Sequence, residues 1–289
     1  MRVLRRVLIG AAVVALLCVL GARAWVRGAW VEARPPAELD ALLASHDEVF
    51  RPEGAGPFPA LVMFHGCGGL RESLRQWADQ MRDLGVLVVA TDSHAGRGLA
   101  WEKVCSGRAL LGAERAGDAW VALARVRARP DVDPARVALA GWSHGAWTLM
   151  ELFALEDGEL PPNLEEAPAT ELADVAGLVL LYPYCGLGAR ALFHWPRAVP
   201  TLMLLAEQDR IVDADACARW GEARAADGKP VTTHAYAGVD HGFDQAVPSG
   251  EWEPTYDAAA AEDARRRVAV FLAERLALGP GRPTASSAR

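Results

Sequence analysis

Residues Val137-Ala138-Leu139-Ala140-Gly141-Trp142-Ser143-His144-Gly145 run a short apolar segment into a Gly-Trp-Ser-His-Gly turn. Ala146-Trp147-Thr148-Leu149-Met150-Glu151-Leu152-Phe153 then follow with helix-forming content. A strand, a sharp turn and a helix in that order give the pattern G-x-S-x-G a structural meaning. Small residues on either side let the backbone turn tightly, and the serine between them is held in a strained conformation with its hydroxyl projecting above the sheet. A glycine-rich turn with no chemical purpose would read the same in isolation, so the weight falls on the rest of the chain.

A serine hydroxyl is a weak nucleophile at neutral pH and needs a base, and the base needs an acid to orient it. Downstream, Thr201-Leu202-Met203-Leu204-Leu205-Ala206 reads as a strand running into Glu207-Gln208-Asp209. Val231 to Tyr236 reads as the next strand and runs into Ala237-Gly238-Val239-Asp240-His241-Gly242-Phe243. An aspartate and a histidine thus sit just past the carboxyl ends of two strands that follow the turn. Asp209 as a mere helix cap is the rival role, but Asp213 or Asp215 fills it equally well; Glu207 is the substitute acid. A histidine in a surface loop is the bland reading of His241. His46, His65, His94, His144, His194 and His234 fit the slot poorly. Upstream, the apolar run Ala60 to His65 ends in Gly66-Cys67-Gly68-Gly69. Glycines let a backbone approach a ligand closely, and acyl transfer needs backbone N–H groups against its developing oxyanion. The expected donors are the N–H groups of Cys67 and of His144, the residue after the serine.

Taken in order, residues 25–45 read as a linker with a short helix, Ala37 to Ala44, after Pro35-Pro36. His46 to Phe50 is a short strand, and the turn formers Arg51 to Pro57 predict a hairpin between it and the Ala60–His65 strand. Leu74, Trp77, Met81 and Leu84 are spaced for a helix closed by Gly85. Val86 to Thr91 is a buried strand followed by a polar loop, Asp92 to Gly98; Arg108 to Ala128 is a long helix, and Arg136 to Ala140 the strand that feeds Ser143. Leu155 to Asp174 is acidic and proline-rich, a solvated excursion with a lid as the alternative. Val175 to Tyr182 is a strand, Ala214 to Ala225 a helix, Ala258 to Leu276 an amphipathic closing helix, and residues 279–289 a disordered tail. Strands alternate with helices almost throughout, which implies an α/β domain over residues 46–278: a mostly parallel central sheet with helices on both faces and active residues at the strand carboxyl ends.

The chain of 289 residues carries a formal charge of −7. Arg2, Arg5 and Arg6 precede the apolar run Val7 to Ala22, and Ala22-Arg23-Ala24 forms an A-x-A site, the layout of a secretory signal peptide over residues 1–24. An uncleaved membrane anchor is the rival, although sixteen helical residues span about 24 Å against a hydrocarbon core of roughly 30 Å. Cys18 is a poor lipoprotein site because bulky Leu17 precedes it. Loss of residues 1–24 removes four arginines and no acids, taking the charge from −7 to −11. An acidic domain without basic clusters argues against nucleic-acid binding. Cys67, Cys105, Cys185 and Cys217 remain, an even count that favours disulfides in an exported protein and leaves three connectivities open; buried free thiols are the alternative. No zinc-like spacing appears, so no metal is expected.

The ordered set PFPALVMFHGCGG, TDSHAGRG, VALAGWSHG, LMLLAEQD and GVDHGF resembles the dienelactone hydrolase family of α/β-hydrolases, and within it an exported serine-containing branch. The likeness runs from about Glu48 to Phe271. In the α/β-hydrolase fold the order is Ser, Asp or Glu, then His, and the resemblance implies Ser143 as nucleophile, Asp209 as acid, His241 as base and Cys67 in the oxyanion hole. It further implies an ester or lactone substrate and no cofactor. The founding members are similar but carry cysteine where this chain has Ser143, which widens the expectation from a dienelactone to esters more generally. Arg97 and Arg108 are candidates for a substrate carboxylate, with solvated arginines as the alternative; Trp101 and Trp142 are candidates for the acyl-pocket wall or for core packing. Cys185 and Cys217 sit on neighbouring elements, where a disulfide would brace the acid loop, leaving Cys67 with Cys105. The expectation is an exported serine hydrolase acting on a small ester or lactone. A peptidase of the same fold and an inert envelope-binding protein are the alternatives.

Overall fold

The computed structural model describes residues 31–246 and 255–279 in full, preceded by helical residues 6, 9, 10, 12–19 and 21. The Ala22-Arg23-Ala24 site, residues 25–30 of the linker and residues 280–289 of the tail lie outside the described residues. Among the described residues no helix is long and apolar enough to cross a membrane.

Seven strands make one sheet: β1 (Glu48–Phe50), β2 (Phe58–Phe64), β3 (Leu87–Thr91), β4 (Val132–Trp142), β5 (Leu178–Leu181), β6 (Thr201–Ala206) and β7 (Val231–Tyr236). Their spatial order is β1-β3-β2-β4-β5-β6-β7. All neighbours pair in parallel except β1, which runs antiparallel to β3. Every residue of β2, β3, β5 and β6 is buried, as expected of parallel strands covered on both faces.

Side-chain alternation divides the core in two. Val62, Phe64 and Leu139 point to one face, where α1 (Pro36–Ala44), α4 (Gly112–Arg127), α5 (His144–Phe153) and α6 (Ala214–Ala226) pack. Leu61, Met63, Ala138 and Ala140 point to the other, against α2 (Glu72–Asp83) and α7 (Ala258–Arg275). Helix α2 shows how local sequence does this: Leu74, Trp77, Ala78 and Met81 form its buried stripe. Gly85, at φ 87°, closes it, with its N–H bonded to Arg82 O and that of Val86 to Met81 O, a glycine-dependent helix stop. Helix α3 (Trp101–Cys105) is a short piece in the connection between β3 and α4.

Three expectations need correction. The hairpin between the first two strands does not form; Val49 pairs with Val89 instead, because β2 is flanked by β3 and β4 and leaves β1 only the outer edge of β3. The long helix starts at Gly112 rather than Arg108, since Leu110 takes a positive φ of 51° that breaks a helix. The acidic excursion is partly anchored: Leu164 and Leu172 are buried in the core, and Asn163 accepts from the Gly117 N–H at 3.0 Å and donates to Asp118 at 3.1 Å.

Candidate active site

Ser143 stands between β4 and α5 with φ 51° and ψ −111°, a backbone region that costs a non-glycine residue strain. The flanking glycines explain how the strain is held. A Cβ on Gly141 would lie 2.5 Å from Ala146 N, and one on Gly145 would lie 2.2 Å from Phe64 O. Strand β4, helix α5 and the end of β2 therefore meet closer than any side chain permits. The Ser143 N–H is anchored on Leu181 O at 2.8 Å.

The loops after β6 and β7 converge on this serine. His241 Nε2 lies 2.9 Å from Ser143 Oγ, and its Nδ1 lies 2.6 Å from Asp209 Oδ2. The other oxygen of Asp209 accepts from the N–H groups of Ile211 at 2.8 Å and Val212 at 2.9 Å, so the carboxylate is oriented by its own loop. Glu207 faces Gly238 N at 3.1 Å and not the histidine. Asp240 ties the two loops, accepting from Arg210 Nε at 2.7 Å and from the His241 N–H at 2.8 Å.

A cleft of about 270 Å³ opens over the serine, with Gly66, Cys67, Trp101, Trp142, Tyr182 and His241 in its lining. A Cβ on Gly66 would sit 3.5 Å from Ser143 Cβ, which puts the glycine-rich loop against the serine. Cys67 is joined to Cys105 at the end of α3, and Cys185, after β5, to Cys217 in the first turn of α6. Arg97 and Arg108 lie elsewhere, in the wall of a larger cavity of about 650 Å³ beside α1 and the start of α4. Arg97 is committed to the buried Asp118 by two bonds of 2.7 and 2.8 Å, and Arg108 to Ser106 at 2.8 Å. Burial of a carboxylate demands a cation, and Arg97 answers that demand instead of facing a substrate.

Four residues of this region were not singled out by sequence. Arg71 lines the cleft, its guanidinium 5.7 Å above the Trp101 ring. Asp244, fully buried, accepts from Tyr182 OH at 2.6 Å, Trp77 Nε1 at 2.7 Å and Trp142 Nε1 at 3.1 Å. Tyr182 in turn stacks 4.6 Å from the His241 ring. Arg115 is fully buried beneath the elbow, and burial holds its pKa down to about 10, still charged at neutral pH. Burial first, and then the Arg115 charge, push His65 and His144 below the ordinary histidine range, so both are neutral. Among the described residues no group of His, Cys, Asp or Glu has the arrangement to hold a metal ion.

The dienelactone hydrolase family model matches residues 169–276, the part of the chain carrying Asp209 and His241. Solved structures of similar shape include an esterase 2 from Thermogutta terrifontis phosphoramylated by tabun, at TM-score 0.63 and 18% identity over 81% of this chain and 90% of that one. The same esterase with propionate bound gives 0.61 and 18% over 82% and 91%. A dienelactone hydrolase-like promiscuous phosphotriesterase from metagenomic libraries gives 0.58 and 19% over 79% and 91%. No curated protein matches the chain. At such identities the likeness establishes the fold, and the chain has the α/β-hydrolase fold.

Proposed function

We propose that this protein is a serine hydrolase that cleaves small carboxylic esters or lactones through an acyl-enzyme. The continuous relay from Ser143 Oγ through His241 to Asp209, at 2.9 and 2.6 Å, carries the reading. His241 Nε2 takes the hydroxyl proton as Oγ attacks the carbonyl carbon, and Asp209 holds the other ring nitrogen as the donor and stabilises the charged ring. The N–H groups of Cys67 and His144 receive the oxyanion; losing one such donor typically costs about 10²–10³ in rate. The histidine then protonates the leaving alkoxide, and water repeats the sequence on the acyl-enzyme. The family likeness over residues 169–276 and the esterase and phosphotriesterase among the structural neighbours support the same class. A cleft of about 270 Å³ favours compact acyl groups over a folded polypeptide.

Ser143→Ala, with its melting transition intact, abolishes turnover of p-nitrophenyl acetate and labelling by a fluorophosphonate probe. An unchanged rate overturns the assignment. We propose also that the chain is exported. Ile9, Val13, Val14, Leu16, Leu17 and Val19 are exposed on the amino-terminal helix and have no core of their own to enter, and two disulfides suit an oxidising compartment. Amino-terminal sequencing of the exported protein is expected to begin after residue 24; a start at Met1 counts against cleavage.

A further inference from the structure

We infer that Arg115 is a positioning residue for the oxyanion hole, holding its two halves in register and keeping a fixed positive charge beneath them. The inference rests on the serine hydrolase reading above and concerns a residue that touches neither Ser143 nor the substrate cleft.

The two oxyanion donors come from separate elements. Cys67 lies two residues past His65 at the end of β2, and His144 opens α5 after β4. These strands are neighbours, with Phe64 opposite Gly141, but the loops that leave them are not held together by the sheet. The backbones already touch where Gly145 meets Phe64 O, and Arg115, on α4, bonds groups on either side of that contact. Its Nη1 donates to His65 O at 2.8 Å and lies 3.3 Å from His144 Nδ1. Its Nε donates to Ser93 Oγ at 2.8 Å. The Ser93 N–H donates to His65 Nε2 at 3.1 Å, and His65 Nδ1 lies 2.6 Å from Gly66 O.

The chemistry fixes the tautomers of both rings in this chain. A guanidinium has no acceptor, so His144 Nδ1 must accept. A backbone N–H only donates, so His65 Nε2 accepts and its Nδ1–H points to Gly66 O. One guanidinium thereby holds the carbonyl before Gly66, the Ser93 hydroxyl and the ring of His144, while the Ser93 N–H and Gly66 O set the tautomer of His65. Those are the immediate attachments of both N–H donors.

The energetics point the same way. Burying an arginine is costly unless a carboxylate answers it at close range. Asp118, whose charge attracts Arg115, is bonded instead by Arg97 and Asn163. The groups it bonds directly are neutral and give little reason for a full charge here. A developing oxyanion gives one, because preorganised charge in a water-poor site acts without reorganisation.

Arg115→Met and Arg115→Lys in the full chain test this. Displacement of a reacting group by a remote change costs up to about 10² in rate, so Arg115→Met is expected to lower kcat for p-nitrophenyl acetate about 10- to 100-fold with KM within about threefold. Affinity for an aryl trifluoromethyl ketone, whose carbonyl carbon bonds Ser143 Oγ and whose oxygen becomes the oxyanion, falls by the same factor as kcat/KM. The melting temperature falls under either role, because the change strips a donor from buried His65 O, Ser93 Oγ and His144 Nδ1, so it does not decide. Arg115→Lys keeps the charge but not the fork, and recovers part of kcat. A purely structural role would leave kcat and the ketone affinity of the folded fraction unchanged, which overturns the inference. Should Arg115→Met fail to melt cooperatively, Arg115→Lys decides: wild-type kcat and ketone affinity refute it, and a matched loss of both upholds it. If wild-type protein is neither inhibited by the ketone nor labelled by a fluorophosphonate, the serine hydrolase reading has failed rather than this one.

Discussion

Replacing Asp209 by asparagine changes one atom and should nearly silence the site, for a reason visible in the loop. Asp209 Oδ1 accepts from two backbone N–H groups, of Ile211 and Val212, at 2.8 and 2.9 Å. An asparagine must keep its oxygen there, because turning its NH₂ toward two N–H donors forfeits two hydrogen bonds at about 1–3 kcal/mol each. The NH₂ therefore falls at the position of Oδ2, facing His241 Nδ1 across 2.6 Å. That nitrogen then has to accept, which moves the ring proton to Nε2. Nε2 sits 2.9 Å from Ser143 Oγ and, carrying a proton, cannot take another. Reaching the productive tautomer costs the same few kcal/mol as the flip, and the charge that stabilises the imidazolium is gone. The expected loss in kcat is about 10⁴, or about 5 kcal/mol of barrier, with KM for p-nitrophenyl acetate within about threefold and an unchanged melting curve. A folded Asp209→Asn variant that keeps more than about a tenth of wild-type kcat would refute the tautomer argument.

Two further predictions concern buried carboxyl groups away from the relay. Asp244→Ala leaves Trp77, Trp142 and Tyr182 donors without an acceptor in the core; breaking such a buried network is expected to cost about 3–5 kcal/mol in urea denaturation, and a loss under about 1 kcal/mol contradicts it. Glu151 is buried on α5 and accepts from Trp147 Nε1 and Arg190 N, and burial raises its pKa from 4.5 to about 7. The native state thus holds this proton more tightly than the unfolded one, so the group's contribution is full below about pH 4.5 and is lost as pH rises to about 7. Glu151→Gln can keep both bonds and removes the titration; its stability relative to wild type should rise between pH 5 and pH 8 by up to about 3 kcal/mol. Parallel melting curves for the two proteins across that range would exclude the effect.

What could be read from the sequence was local. The alternation of apolar runs with helical spacing gave away the layered sheet, since each strand buries both faces and must be continuously apolar. Ser143, Asp209 and His241 each follow a recognisable strand, and a parallel sheet delivers every strand's carboxyl end to one edge, so order along the chain translates into proximity. Strand partners do not translate this way. Glu48 to Phe50 lies next to β2 in sequence but against β3 in space, because pairing is settled by which edge is vacant. Arg97 was misread for a related reason: a conspicuous arginine in a polar loop gives no sign that the buried carboxylate of Asp118 waits twenty-one residues on. Arg115 and Asp244 left no trace at all. Each sits among ordinary residues, and its importance comes from donors and acceptors on four different elements.

The two disulfides have a consequence for where this protein can be competent. Neither joins strand to strand; each fastens a loop on the rim to a nearby helix, Cys67 to Cys105 and Cys185 to Cys217. The sheet is held by exclusion of water, whereas the loop of Cys67, a proposed oxyanion donor, and the loop of Cys185 are held by an oxidant as well. Shape and competence are therefore set by different features of the surroundings. In a reducing compartment the rim would be untied, and in an oxidising one it is fastened. On the proposed hydrolase reading, turnover would be weaker in a reducing compartment than in an oxidising one.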